Sequence, residues 1–451
     1  MIFDKVLQIY QKYYICIHCL GRMFSLLGSY TTNFERGNSL LLSLTMENHW
    51  SFLSLNNEQQ KKSIANLKIL AEKAQYLPAQ KVLQNEGLSI SEESEQSCYL
   101  CHGIFSNIKK YVDTAKSNLK DIEYNNFLVG TSLKAQINNQ EDDFKAKFKI
   151  LEAESFKSHF NRVIGKQLTE TLEKPPEFNN PDILIIFFLD FESFSIELNP
   201  KSLFIFGTYN KFIRTIPQTH WFCRNCMGKG CKLCDYSGKQ YLESVEEMVS
   251  PEFVKEALAD GSKFHGAGRE DIDVRMLGRG RPFILELKNP KVRKLNLTKI
   301  EKRVNKSNKK KVSIHNLRYS DKKEVIKLKA EAENTKKIYR ARVVTSNRIT
   351  RETFKEKIVD LKKTFECQEI HQRTPNRVSH RRADKIRGKS VFKIEGIFVN
   401  PQLFEFVIET QGGTYIKELI NGDEGRTSPS FSEIFQVPLV CKELDVMDIS
   451  Y

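Results

Sequence analysis

The sequence predicts an α+β protein of two or three domains, and three observations predict it. The chain has 451 residues, 40% hydrophobic and 28% charged, enough to bury more than one core in an ordinary water-soluble composition. Helical periodicity runs through residues 57–73 and their neighbours, rich in Lys, Gln and Glu. By contrast, residues 282–287, 338–344 and 404–410 alternate apolar and polar positions as half-buried strands do, and the expected result is a mixed central sheet in the second half.

Charge narrows the class of partner. Lys and Arg number 71 against 56 Asp and Glu, a net +15 that favours a polyanion, either a nucleic acid or an anionic membrane surface. The most apolar run, Ile183–Leu189, is bounded by Asp182 and Asp190. It falls far short of the roughly 18–20 residues of a membrane span and reads as a buried strand. The amino terminus carries Asp4, Lys5 and Lys12 among apolar residues and has no signal-peptide core or cleavage site. The expectation is an intracellular protein, in nucleus or cytoplasm or both, whose cysteines serve as metal ligands rather than disulfides.

In the amino-terminal half, Cys16-Ile17-His18-Cys19 and Cys98-Tyr99-Leu100-Cys101 form two CxxC pairs. Each turn aims two thiolates at one point, so the pairs together complete a four-cysteine zinc site closed by the domain rather than by a local finger. His18 and His102 are alternative ligands, and two unrelated reduced pairs are the bland alternative. Residues 86–96 are polar and read as a loop; residues 105–172 alternate helices with amphipathic strands, and Pro175-Pro176 breaks the chain before Ile183–Leu189.

Residues 204–245 read as a linker. Tyr209, Lys211, Arg214 and Trp221 interleave basic and aromatic groups, which suits phosphate contact and base stacking; a strand with exposed polar residues is the alternative. Cys223, Cys226, Cys231 and Cys234 follow as two CxxC turns joined by a short glycine loop, a structural zinc knuckle with no open coordination position. An iron–sulfur cluster is the less favoured occupant. Cys223-Arg224-Asn225-Cys226-Met227-Gly228-Lys229-Gly230 also resembles the cysteine-rich repeat of J-domain chaperones, but it occurs once, and a chaperone gives no reason for the positive charge.

The centre of the chemistry is residues 266–282. Asp271 and Asp273 lie two apart, so an extended backbone puts both on one face, with Arg269 and Arg275 beside them as counter-charges. Such a carboxylate suits a base or nucleophile; a charged hairpin rim is the bland alternative. Gly268-Arg269-Glu270-Asp271-Ile272-Asp273-Val274 resembles the Gly-Arg-x-Asp-x-x-Val loop that carries the catalytic aspartate of tRNA pseudouridine synthases. The longer run to Pro282 resembles one archaeal–eukaryotic branch, pseudouridine synthase ten. The resemblance makes Asp271 the catalytic aspartate and leaves Asp273 without assigned chemistry.

Beyond it, residues 288–311 are dense in Lys, Arg and Asn and read as a basic arm over an RNA backbone. The resemblance assigns Tyr339 to stacking on the target base. Arg373-Thr374-Pro375-Asn376-Arg377-Val378-Ser379-His380-Arg381-Arg382 resembles a family motif beside the cleft, and Arg377, Arg381 and Arg382 are expected on the tRNA backbone along with Arg269. A nuclear-localisation patch is the alternative reading. Gly412-Gly413-Thr414-Tyr415-Ile416-Lys417 permits a tight turn into a short helix and resembles the Gly-Thr-Tyr-Ile-Arg/Lys motif of several pseudouridine synthases. It implies that Lys417 pairs with Asp271 and that Ile416 packs in the site. Leu444 resembles the last apolar wall, and the glycine-rich run at 422–429 resembles a family loop, which implies that it faces RNA.

The organisation expected is an accessory RNA-binding domain over residues 1–203, a linker with the zinc knuckle over 204–245 and a pseudouridine synthase domain over 246–451. The resemblance implies a THUMP-like region in the first. It also implies isomerisation of uridine in the TΨC arm of tRNA, at U55 with or without U54 beside it, and without an organic cofactor. Asp271 acts there as nucleophile or as ribose base. A monomer acting on tRNA, away from membranes, is expected. The rival is a non-catalytic zinc-dependent RNA-binding protein, which predicts loss of the aspartate or its basic partner; Asp271, Tyr339 and Lys417 are all present.

Overall fold

A computed structural model describes residues 2–54, 57–91, 96–331 and 335–450. The chain divides into two compact units, Met1–Lys201 and Ser202–Tyr451. Among the described residues no helix is long and apolar enough to cross a membrane.

The first unit is mainly helical. Helices Ile17–Met23 and Asn33–Leu53 approach closely: a Cβ on Gly21 would sit 1.7 Å from the Asn33 carbonyl oxygen, and one on Gly37 2.1 Å from that of Ile17. Only glycine fits at that crossing. Thr32 caps the longer helix in a reciprocal capping box with Glu35. Helices Ile108–Leu119, Ala135–Phe148 and Phe156–Leu172 accompany a three-stranded sheet. In it β1 (Phe127–Leu133) runs parallel to β2 (Ile183–Leu189), and β3 (Phe194–Pro200) pairs antiparallel with β2. The expected buried strand is thus the middle one, with Ile183, Ile185, Phe187 and Leu189 in the core. Of the expected loop at 86–96, residues 92–95 lie outside the described residues.

The second unit is built on an eight-stranded mixed sheet. Its strands are β4 (Leu203–Lys211), β5 (Gly261–Gly266), β6 (Val274–Lys288), β7 (Val312–Ser320) and β8 (Lys336–Val344), with three more from the later chain. Residues 204–211 of the expected linker are therefore a strand paired with β6 and β7. A small second sheet holds β9 (Ile370–Arg373), β10 (Ile386–Lys389) and β13 (Thr427–Ser428). The remaining strands of the large sheet are β11 (Val391–Asn400), β12 (Leu403–Gln411) and β14 (Val440–Ser450), giving the order β11-β12-β8-β14-β6-β4-β7 with β5 on β6. Among the described residues of this sheet only β14 and β6 pair in parallel, with Leu444 opposite Val274 and Val446 opposite Met276. On the other side of β14, Leu444 faces Ala341 and Val446 faces Tyr339. Residues 282–285 are buried on both faces, more than the half-buried strand expected there.

The basic arm expected at 288–311 is instead a helix, Leu297–Ser307, packed on the sheet's core through Ile300 and Val304. Two buried aliphatic side chains contribute roughly 3–5 kcal/mol. That outweighs the like-charge pairs Lys299/Arg303 and Lys302/Lys306, about 0.5 kcal/mol each. Arg303 also pairs with Glu256 on helix Val245–Ala257, and Asn308 donates to the Met248 carbonyl at 2.9 Å. The segment is therefore fixed to the fold along its length.

Candidate active site

The loop between β5 and β6 carries Asp271 and is held from beneath. Gly268 adopts φ +80°, and a side chain there would meet Arg281 Nη1 at 3.1 Å. Glu270 turns inward: its carboxylate lies 2.9 Å from Arg281 Nε and accepts a 2.8 Å hydrogen bond from Tyr209 Oη. Gln218 Nε2 donates to Tyr209 Oη at 2.8 Å and to the Gly268 carbonyl at 3.0 Å. Lys211, fully buried, donates to the carbonyls of Asp271, Ile272 and Ile216 at 3.2, 3.0 and 3.0 Å. Tyr209 and Lys211, expected at the RNA surface, are instead the anchor beneath the loop. Burial of an amine is tolerable here because three carbonyls accept its hydrogen bonds and Glu270 lies 4.0 Å away. Arg214 likewise holds the carbonyls of Asp273 and Leu444, at 3.1 and 2.6 Å.

Asp271, Ile272 and Asp273 form a turn closed by Val274 N–H donating to the Asp271 carbonyl at 3.1 Å, not the extended segment expected. Both carboxylates nonetheless reach one lysine. Lys417 Nζ stands 2.7 Å from Asp273 Oδ2 and 3.7 Å from Asp271 Oδ2. The near partner of Asp271 is Arg377, whose Nη1 donates to Oδ1 at 2.9 Å while its Nε donates to Glu418 Oε1 at 2.6 Å. The sequence neighbours expected as counter-charges turn elsewhere. Arg275 forks onto Asp445 at 2.8 and 2.7 Å, and the Arg269 guanidinium lies over the Trp221 ring, 4.5 Å from its centre.

A cleft of about 540 Å³ opens above this loop, and Asp271, Tyr339, Arg377, Ile416, Lys417 and Leu444 all line it. Tyr339, Ile416 and Leu444 are buried, and the first is 8% exposed. Burial, with Asp271 adding to it, pushes the Tyr339 hydroxyl up to about 12, so the ring is a neutral, apolar face at physiological pH. Ile416 opens the short helix Ile416–Asn421 expected after the glycines. Arg269, Trp221 and Arg382 stand at the same cleft, and Arg382 Nη1 donates to Tyr415 Oη at 3.0 Å. The side chain of Arg381 lies outside the described residues. Lys337, which sequence reasoning passed over, also lines the cleft and is buried; burial first, then Arg281 and Lys389, bring its amine down to about 7. Glu270, Arg281 and Asp445 were missed as well; their one sequence signal is charge at positions whose neighbours are strand-like.

The cysteines gather into two groups, one in each unit. Cys16, Cys19, Cys98 and Cys101 bring their sulfurs within 4.8 Å of one another, as do Cys223, Cys226, Cys231 and Cys234. In the second group sulfurs lie 3.7–3.9 Å apart where they touch. A tetrahedral ion with sulfur at about 2.3 Å needs about 3.8 Å between ligands, so both groups could hold a metal and are compatible with zinc. Against the burial that raises it, backbone N–H groups of Cys231 and Gly238 bring the Cys234 thiol down to about 6, toward the thiolate that metal binding requires.

A family model described as "Pus10, C-terminal" matches residues 204–450, and one described as "Pus10 THUMP domain, archaeal" matches residues 111–187. The tRNA pseudouridine synthase Pus10 of Methanocaldococcus jannaschii is 41% identical over 446 residues, covering 98% of this chain and 93% of the relative. That of Methanopyrus kandleri is 35% identical over 452 residues, covering 99% and 98%. The crystal structure of a Cbf5-Nop10-Gar1 complex aligns with 45% of this chain and 44% of that one at 19% identity, with a TM-score of 0.26, too slight a likeness to argue from.

Proposed function

The chain belongs to the Pus10 family of tRNA pseudouridine synthases, and on that premise we propose that it isomerises uridine to pseudouridine in tRNA with Asp271 as the catalytic carboxylate. The observation that carries this reading is the meeting of Asp271, Arg377, Lys417, Tyr339, Ile416 and Leu444 in one cleft from five separate stretches of chain. A binding protein needs no carboxylate set between two cations beside a buried aromatic face.

The reaction breaks the bond between uracil N1 and ribose C1′, turns the uracil in place and joins C5 to C1′. Asp271 addresses the ribose, as nucleophile on C1′ or base at C2′, while Arg377 and Lys417 orient its two oxygens. The target nucleotide must leave its stack to reach the cleft, and Tyr339 offers the ring on which the base rests. Ile416 and Leu444 exclude water from the separated ions. Arg269, Arg381 and Arg382 contact the tRNA backbone, and the net charge of +15 draws the tRNA in. The substrate is one or both of the adjacent uridines in the TΨC arm. Both cysteine groups hold structural zinc, which closes each local turn and leaves no open position for chemistry. Residues 1–203 act as the accessory RNA-binding domain, and the protein works as an intracellular monomer.

The test is carbodiimide-blocked reverse transcription on unmodified tRNA incubated with the wild-type chain and with Asp271→Ala. A new stop in the TΨC arm that disappears in the variant is expected. Absence of a stop with either protein, while tRNA is still bound, overturns the reading in favour of a non-catalytic RNA-binding protein.

A further inference from the structure

Two amines that line the cleft, Lys329 and Lys337, have no carboxylate partner among the described residues, and of the two only Lys337 is buried. Lys337 lies two residues before Tyr339 on β8, so both side chains leave the same face of the strand, about 6.7 Å apart at the backbone. Lys337 is 6% exposed and its remaining surface opens into the cleft. Arg377 and Lys417 are each met by carboxylates, and Arg281 by Glu270. Among the described residues Lys337 makes no hydrogen bond and no ion pair. Its Nζ lies 3.7 Å from where a Cβ on Gly268 would be, beside the loop that carries Asp271.

The charged groups that face Lys337 are Arg281 from β6, Lys389 from β10 and Glu270 from the loop. Glu270 is already paired with Arg281, and Lys389 donates to the Gly412 carbonyl at 3.0 Å. Two cations and a spent carboxylate leave no reward for a third positive charge in a dry site. A buried lysine so placed exposes a lone pair at neutral pH, which suits general-base work.

The isomerisation has one proton that Asp271, on the ribose side, does not account for. Once C5 of the turned uracil is bonded to C1′, C5 still carries its hydrogen. We propose that Lys337 is a catalytic residue that removes this C5 proton, an inference that rests on the function proposed above. The C5–H electron pair re-forms the C5=C6 double bond, the C6=N1 pair moves to N1, and N1 takes a proton from solvent. The ammonium of Lys337 then returns its proton to solvent, so the step consumes nothing. Of the two same-face neighbours of Tyr339 on β8, Lys337 and Ala341, only Lys337 has a group that can take a proton from a uracil resting on that ring.

The experiment compares wild type, Lys337→Met, Lys337→Gln and Lys337→Arg in single-turnover pseudouridine formation, on tRNA carrying uridine or 5-deuteriouridine. Removing a partnerless buried amine leaves no hydrogen bond broken, so the Met and Gln variants are expected to fold and to bind tRNA as wild type does. The expected result is a rate loss of about 100-fold or more in all three, with a C5 isotope effect larger than in wild type. Arginine does not rescue, because it has no lone pair to offer at any working pH. Retained activity in Lys337→Met, a rate loss with no change in isotope effect, or rescue by Lys337→Arg overturns the assignment. If the wild-type chain itself forms no pseudouridine, the function proposed above has failed instead, which the same assay shows.

Discussion

Arg377 clamps Asp271 to Glu418: one guanidinium spans the two carboxylates, with Nη1 2.9 Å from Asp271 Oδ1 and Nε 2.6 Å from Glu418 Oε1. Glu418 is buried, so the far end of the clamp is fixed. Arg377→Ala is expected to lower turnover about 100-fold through misplacement of the carboxylate, with tRNA affinity nearly unchanged. Arg377→Lys is not expected to restore it, because a point charge cannot fork onto two acids. Quantitative binding beside single-turnover rates checks this, and equal losses in both would return Arg377 to backbone contact.

Asp273 and Lys417 make the tighter of Lys417's two contacts, yet the Asp273 side chain is 59% exposed. An ion pair that open is worth about 1 kcal/mol or less, so Asp273→Asn should change turnover by less than about fivefold. Lys417→Ala removes the second cation from Asp271 too and should cost more, in turnover rather than in affinity. If the order of the two effects reverses, Asp273 carries chemistry of its own.

Metal removal should proceed in two stages. Cys19, Cys98 and Cys101 are buried, whereas three of the four cysteines at 223–234 are partly exposed. A chelator is expected to take zinc from the second group first and to unfold the first unit when it takes the other. Metal analysis of the untreated protein should give about two zinc ions per chain. A folded chain without metal would rule out both sites.

Asp445 gathers three arginines: Arg214 at 2.5 Å, Arg275 at 2.7 Å and Arg340 at 3.0 Å. Burial raises its carboxyl, but the hydrogen bonds from Arg275 and Arg340 and the charge of Arg214 outweigh that and hold it below the usual range. A folded value below the unfolded one of about 3.9 means this stability is present above about pH 4 and lost as pH falls through the folded value. Asp445→Asn should therefore lower the Tm at pH 7, by the equivalent of about 3–5 kcal/mol if the arginines are stranded, and flatten the loss in acid. Calorimetry from pH 7 to pH 3 measures both.

Much of the candidate site was legible because several of the residues that meet in the cleft lie in short contiguous runs. Gly268–Val274 and Gly412–Lys417 announced the carboxylate, the turn and the lysine, and the CxxC spacings announced both sulfur clusters. The partners were harder to read. Arg269 and Arg275 sit beside the acids in sequence, but a turn at 271–273 sends Arg275 across to Asp445, while Arg377 arrives from a hundred residues on. Tyr209 and Lys211 looked like surface because a basic and aromatic alternation usually is. They are buried because Glu270 and three carbonyls receive them, and none of those partners is adjacent in sequence. The helix at Leu297–Ser307 could have been found: Leu297, Ile300 and Val304 hold helical spacing beneath the lysines. Lys337 gave no signal, since its amine is defined by what surrounds it.

The large sheet also sets an order of events during synthesis. Its middle strand, β14, is drawn from residues 440–450 and separates β6 from β8, with Leu444 between Val274 and Ala341 and Val446 between Met276 and Tyr339. While those residues are still inside the ribosome, the strand bearing the loop of Asp271 and the strand bearing Tyr339 have no partner between them. A chain in which residues 440–450 are not yet paired therefore cannot assemble the cleft, whatever its other elements have already formed.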